Sequence, residues 1–256
     1  MHNWRIVDDV YLYDGSIEGL LTIVNKCLEN KTIPRDIKTD ETYEADLLTI
    51  PIFIETNLSE SKLIYNRFAR ISKDILYNVH TSLLSSNKDK EIIILKYLIY
   101  ALKYGSKINE MKSSKWVIAI DKLRKQVKWE AHRLSGFVRF RLIAKNILYS
   151  EIEPDHNVVE FLTKHFMDRL PNERWIIYDK KRGLAAMYSN KQYEIYSLSN
   201  LEVDNCENEP LEQEYEDMWK SFYESITIKE RTNRRCQLNH MPKKYWKNML
   251  EMRDKL

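Results

Sequence analysis

At 256 residues, with 43% apolar residues, the chain is long enough for one large domain or two small ones around a real core. Only 5 Gly and 6 Pro against 31% charged residues exclude collagen-like and low-complexity classes. A formal net charge of +3 permits a polyanion partner without requiring one, so the distribution of charge has to decide.

The three cysteines, Cys27, Cys206 and Cys236, are odd in number, far apart and form no C-x-x-C pair. Neither a disulfide framework nor a zinc cluster is expected, and a reducing compartment is the default. The first residues, M-H-N-W-R-I-V-D-D, lack the basic-then-apolar profile of a secretion signal. The longest apolar run, residues 92–102, is broken by Lys96 and falls short of the ~20 residues a bilayer needs. The expectation is a soluble, cytoplasmic protein with no membrane partner.

Taken in chain order, Val10 to Tyr13 reads as a short strand and Asp14-Gly15 as a turn. Ile17, Leu20, Leu21, Val24, Cys27 and Leu28 then fall on one helical face, which Ser16 or Asp14 can cap. A second strand is expected over 48–55, where Pro51 argues for an edge or an irregular segment. Helical periodicity runs through 59–86 and 88–104, with Gly105 as a stop for the second. It returns over 114–134 with Trp116, Ile120, Leu123, Val127 and Leu134, and Gly136 sits where a left-handed C-terminal residue is wanted.

The period then becomes alternating. Residues 137–143 and 147–153 read as strands joined by Ala144-Lys145-Asn146. Asn157 and Glu160 have capping-box spacing and open a helix to about Leu170. Strands are expected at 175–179, 184–188 and 192–198. The order ββαβββ over 137–198 predicts an α+β protein with a mainly antiparallel sheet. A single domain is expected, with a strand–helix unit (1–57), a helical block (58–135), the sheet region (136–200), and an acidic linker, helix and basic tail (201–256). In that last part, residues 202–217 hold eight acids and no Lys or Arg, whereas 229–255 hold nine Lys or Arg against three acids. A helix is expected over 211–226, and Pro242 is placed to begin the last one.

The densest chemistry lies in W-E-A-H-R-L-S-G-F-V-R-F-R, residues 129–141. His132 and Arg133 fall in a last helical turn, where cations gain roughly 0.3–1 kcal/mol from the helix end. In the expected strand Arg139 and Arg141 share a face, with Tyr149, Glu151 and Glu153 on matching parity. Cross-strand Arg–Glu pairing is one reading, and phosphate contact by the forked guanidinium donors is the other.

In E-I-E-P-D-H-N, Glu153, Asp155 and His156 gather before a helix, as a general base or metal site would need. Asp155 and Asn157 are equally natural helix caps. His165 shares a face with Phe161, Leu162, Phe166 and Arg169, the pattern of a hydrogen-bonded core histidine. Asp179 and Arg182 flank a tight connection ending at Gly183, which turn geometry explains.

The tail R-T-N-R-R-C-Q-L-N-H-M-P-K-K-Y-W-K, residues 231–247, interleaves cations with Tyr245 and Trp246. Those rings either stack on bases or dock on the core. No P-loop, dinucleotide fingerprint, H-E-x-x-H or G-x-S-x-G occurs.

As an ordered set, six segments resemble one bacterial family, described as DNA metabolism or DNA repair proteins and built on a domain of unknown function. They are Y-D-G-S (13–16), E-A-H-R-L-S-G-F-V-R-F (130–140), E-P-D-H-N (153–157), H-F-M-D-R (165–169), W-I-I-Y-D-K-K-R-G (175–183) and M-P-K-K-Y-W-K (241–247). The resemblance implies a setting rather than a reaction. Such proteins are encoded beside a radical SAM protein of DNA repair or modification, and elsewhere the domain is fused to a uracil-DNA-glycosylase-like domain. Ending at Leu256, the sequence resembles the stand-alone type. It lacks a cysteine triad for an iron–sulfur cluster, so radical chemistry would belong to the partner. The resemblance carries no catalytic residues.

The leading expectation is thus a DNA-binding accessory protein of a repair or modification system, acting with a radical SAM partner. Its candidate contacts are Arg133, Arg139, Arg182, Arg231, Arg234 and Lys243. The alternative is an enzyme acting on a nucleic-acid lesion or nucleotide through His132, Asp155 and His156, with Asp14 as a further candidate. A pure protein-interaction module is the third. No cofactor or metal is expected of this chain.

Overall fold

The computed structural model describes residues 4–45, 49–144, 146–198 and 210–253. Its contacts cluster into two compact units, Met1–Val127 and Lys128–Leu256.

In the first unit β1 (Arg5–Ile6), β2 (Val10–Tyr13) and α1 (Ile17–Asn30) are followed by β3 (Thr32–Ile33), β4 (Asp36–Thr39) and β5 (Ile52–Phe53). Helices α2 (Leu58–Ile71), α3 (Lys73–Leu83) and α4 (Lys90–Tyr104) come next, and α5 (Lys115–Phe137) begins in this unit. Strand β2 lies between β4 and β5, parallel to both, and β1 pairs in parallel with β3. All four residues of β2 are buried, as a central parallel strand requires. Parallel neighbours need a crossover, and α1 supplies the one from β2 to β4. The strand expected around Pro51 is reduced to the edge strand β5.

Ser16 caps α1, its hydroxyl accepting from the Gly19 N–H at 2.9 Å. Asp14 accepts in turn from the Ser16 N–H and hydroxyl and from the Thr56 hydroxyl. Gly19 admits this packing, because a Cβ there would lie 2.4 Å from Asp14 Oδ1 and 2.7 Å from Thr56 Oγ1. Where one periodic stretch spans 59–86, the chain breaks at Ser72. Its backbone is extended and its hydroxyl accepts from the Asp74 N–H at 3.1 Å, ending α2 and capping α3. Leu20, Ile23 and Val24 of α1, Ile64 and Phe68 of α2, and Ile94, Leu95 and Leu98 of α4 form the core of the unit. Gly105, at φ 63°, ends α4 as expected.

The second unit holds the end of α5, then β6 (Arg141–Ala144), β7 (Ile147–Ile152), α6 (Val159–Arg169), β8 (Arg174–Asp179), β9 (Leu184–Ser189) and β10 (Gln192–Ser197). Helix α7 (Pro210–Ile226), α8 (Arg234–His240), a 3-10 turn (Lys243–Asn248) and α9 (Leu250–Arg253) complete it. The sheet order is β10-β9-β8-β7-β6. Every pairing is antiparallel except β7–β8, which α6 joins as a crossover. The α+β class is as the change of period implies. The acidic linker, with Cys206, falls outside the described residues.

Two local expectations give way to packing. Gly136 does not end α5, and the first strand of the sheet begins at Arg141 rather than at 137. The helix continues because Phe137 packs on the cluster of Trp246, Met249 and Met252, and the Val138 N–H still reaches the Leu134 carbonyl at 2.9 Å. A glycine inside a helix costs only about 1 kcal/mol, less than such a ring gains by burial. Asn157 likewise does not cap α6. That helix starts at Val159 with Val158 before it and no side-chain cap, and Glu160 pairs with Lys164 at 2.6 Å instead.

Candidate functional site

The second unit places its chemistry-bearing residues on opposite sides of α5. Glu130 and His132 are two residues apart on the helix, roughly 200° around its axis, so they cannot face the same way.

On one side Glu130, only 6% exposed, works as a clamp. Its carboxylate accepts from the Asp155 N–H at 2.9 Å, the His156 N–H at 2.6 Å, the Tyr245 hydroxyl at 2.5 Å and Lys244 Nζ at 3.3 Å. Lys244 also pairs with the Asp155 carboxylate, and Lys247 with Glu153. From another direction Arg182 donates to the Pro154 and Asp155 carbonyls and, at 2.8 Å, to fully buried Asp179. The E-P-D-H-N loop is thereby tied to α5, to the C-terminal segment and to the β8–β9 turn.

Burial alone would raise the Glu130 carboxyl, but the Tyr245 hydroxyl and the two backbone N–H groups hold it below the ordinary range. The hydrogen bond from Lys244 keeps Asp155 low as well, and burial lowers His156. Glu251 resembles Glu130. Burial opposes its charge, yet Arg139 at 2.6 Å and the Trp219 indole N–H at 2.9 Å lower it overall. Both carboxylates therefore titrate lower in the folded unit than in the unfolded chain. The stability they add is complete above roughly pH 4.3, the ordinary glutamate value, and is lost as the pH falls through their folded values. Acid titration below about pH 4 is expected to release residues 234–253 from the unit, read as loss of amide-exchange protection at Tyr245 and Trp246. Protection unchanged down to global unfolding would refute it.

On the other side lies an open cleft of about 790 Å³. Trp129, His132, Arg133 and Gly136 of α5 line it at i, i+3, i+4 and i+7, one face of the helix. Helix α6 adds His165 and Arg169, one turn apart, with Phe166 between them at the cleft wall. Arg139, Trp219 and His240 complete the basic and aromatic lining.

The Arg133 guanidinium lies over the Trp129 ring at 5.1 Å and donates to the Asn239 carbonyl at 3.3 Å. The Arg139 guanidinium lies over Trp219, also at 5.1 Å, and donates to the Gly136 carbonyl at 2.8 Å and to Glu251. Trp129 remains 58% and Trp219 36% exposed. Arg169 is exposed and pairs with no described acid. A smaller pocket of about 210 Å³ shares Arg139 and adds Arg141, Lys247 and Arg253, but also Glu151 and Glu216. Among the described residues no group of three or more His, Cys, Asp and Glu side chains is placed to hold a metal ion, so the three cleft histidines do not converge.

Of the residues singled out in the sequence, Arg133, Arg139, His132 and His165 reach this cleft. Asp155 and His156 belong to the clamp and are not part of its lining, so the grouping of His132 with them is not assembled. Asp14 sits in the first unit, where its bonds to Ser16 and Thr56 lower its carboxyl against the effect of burial. Arg182 is engaged with Asp179 and the loop carbonyls. Arg231 and Arg234 are exposed outside the cleft, and Lys243 lies over the Trp246 ring at 5.7 Å. Tyr245 and Trp246 are 5% and 1% exposed, so the tail's rings dock on the core and cannot stack on a base. Arg139 pairs with Glu251 rather than across the sheet, and Arg141 stands opposite Tyr149 with its guanidinium 5.3 Å from that ring. His165, expected in the core, is exposed. The residues that reasoning passed over are Trp129, Arg169, Trp219 and His240. The i, i+3, i+4 spacing of Trp129, His132 and Arg133 was the available signal.

A family described as a domain of unknown function (DUF4130) matches residues 88–251, more than half of the chain. The chain belongs to this family. The DUF4130 match spans α4, α5 and the described elements of the second unit through the start of α9, so both the clamp and the cleft lie inside it. No curated protein and no solved structure matches the chain. No described helix is long and apolar enough to cross a membrane.

Proposed function

We propose that the protein is a DNA-binding accessory factor of a repair or modification system, and that the cleft of α5 and α6 is its nucleic-acid surface. One observation carries the reading: Arg133, Arg139 and Arg169 gather around two exposed tryptophans, and among the described residues no carboxylate lines the cleft. In a chain with 38 acidic residues, a concavity of this size whose described lining is basic and aromatic favours a polyanion. Guanidinium groups suit phosphates by their forked donors, and exposed rings beside them suit bases. The repair setting and the radical SAM partner rest on the family resemblance of the six sequence segments.

The test is fluorescence anisotropy of labelled DNA across a salt series. Binding to phosphates is expected to weaken with a log–log slope of about −0.9 per contact on duplex or about −0.7 on single strands. Arg169→Ala should reduce affinity on all sequences and flatten that slope by about one contact. Arg234→Ala, outside the cleft, should change it less. No binding at low salt, for the protein alone and with its partner, would end this reading.

A further inference from the structure

Resting on that DNA-binding reading, we propose that the cleft takes one unstacked nucleotide of a single strand, its base on tryptophan and its phosphate on the arginines. In a duplex the base faces are buried in the stack, so exposed rings recessed in a concavity have nothing to meet there. A single strand can turn a base out into such a site, and every base offers a π-face. The volume of about 790 Å³ lies within the range of small-ligand clefts and is ample for one nucleotide.

The walls are set before anything binds. Each tryptophan already carries a guanidinium on one side, Arg133 on Trp129 and Arg139 on Trp219, both at 5.1 Å. The Trp219 indole N–H is also fixed by Glu251 at 2.9 Å. Rings held in this way lose little freedom when a base covers the exposed side. Trp129, the more exposed of the two, is the stacking platform. Arg169, free of any described acid and one helical turn from His165, is the phosphate contact. Glu251 is not part of the lining; it orients Arg139 and Trp219 by its hydrogen bonds and offsets the Arg139 charge, so the net attraction for a phosphate falls to Arg133 and Arg169.

The experiment uses the full chain with four probes: a short oligo-dT, the same sequence as duplex, free dTMP and inorganic phosphate. Anisotropy reads affinity and intrinsic tryptophan fluorescence reads stacking. Oligo-dT is expected to bind more tightly than the duplex and to quench the fluorescence. Trp129→Ala should weaken oligo-dT binding about 5- to 150-fold, the range for a lost base–ring stack, while Trp129→Phe keeps most of it. Arg169→Ala should flatten the salt slope and leave the fractional quenching at saturation. Trp129 is largely exposed, so these variants should fold, and circular dichroism confirms it. Equal or tighter duplex binding with Trp129→Ala and Trp219→Ala unaffected would overturn this inference and leave the DNA-binding reading standing. Binding of dTMP or phosphate as tight as oligo-dT would overturn it in favour of a free nucleotide or a simple anion. No DNA binding at all would overturn both.

Discussion

Replacing Glu130 by alanine is expected to cost the second unit about 3–5 kcal/mol, the loss associated with breaking a buried, charged hydrogen-bond centre. Four donors converge on that carboxylate, and two of them are backbone N–H groups. An unpaired buried donor costs about 1–3 kcal/mol, but water can reach the loop side, so the losses do not simply add. Glu130→Gln separates chemistry from volume. It keeps the size, halves the acceptors and turns an NH₂ towards the other donors, so it should lose about 2 kcal/mol or more. Tyr245→Phe removes one donor and should cost about 1–2 kcal/mol. Chemical denaturation measures all three, and for a unit of this size the alanine variant should melt roughly 10–20 °C lower. A Glu130→Gln variant as stable as the parent would show that the clamp does not hold the loop.

Trp175→Ala should be as damaging, by about 3–5 kcal/mol, the usual cost of removing a buried tryptophan side chain. Trp175 is fully buried in β8 and faces Tyr188 of β9 in register, the rings nearly parallel at 4.9 Å. Phe140 and Phe166 close the cluster at 6.3 and 6.4 Å. The same cluster supports α6 on the sheet, and through α6 it positions His165 and Arg169 of the cleft. Trp175→Phe should cost far less, about 1 kcal/mol, because the Trp175 indole N–H is buried without a partner and its removal offsets part of the lost packing. Near-ultraviolet circular dichroism with denaturant melts checks both, and a Trp175→Ala variant with unchanged midpoint would contradict the packing described.

The contrast between these two residues shows which features could be read early. Trp175 stands in the short apolar run W-I-I-Y, which reads locally as a strand. Glu130 stands in the same motif as His132, and nothing local says that one faces a buried loop and the other a cleft. The tail misled for a similar reason. Interleaved cations and rings look alike whether the rings stack on bases or sink into a core, and Tyr245 and Trp246 are buried through partners more than a hundred residues earlier, such as Glu130 and Phe137.

Local period and turn chemistry alone therefore determined the strands at β2 and β7 to β10, the helices α1 and α4, the Gly105 stop and the α+β class, and left the cap of α1 between Ser16 and Asp14. Each depends on residues within a few positions of one another, where side-chain spacing and backbone preference act directly. Strand β4, D-I-K-T, escaped notice because only Ile37 is buried and its pairing with β2 is what makes it a strand. Tertiary structure alone decided that α5 runs through Gly136, that Asn157 leaves α6 uncapped, and that Trp129, His132, Arg133, His165, Arg169, Trp219 and His240 share one concavity. Those outcomes turn on long-range burial and hydrogen bonding worth several kcal/mol. That outweighs the ~1 kcal/mol of a glycine or a cap, and sequence spacing does not encode it.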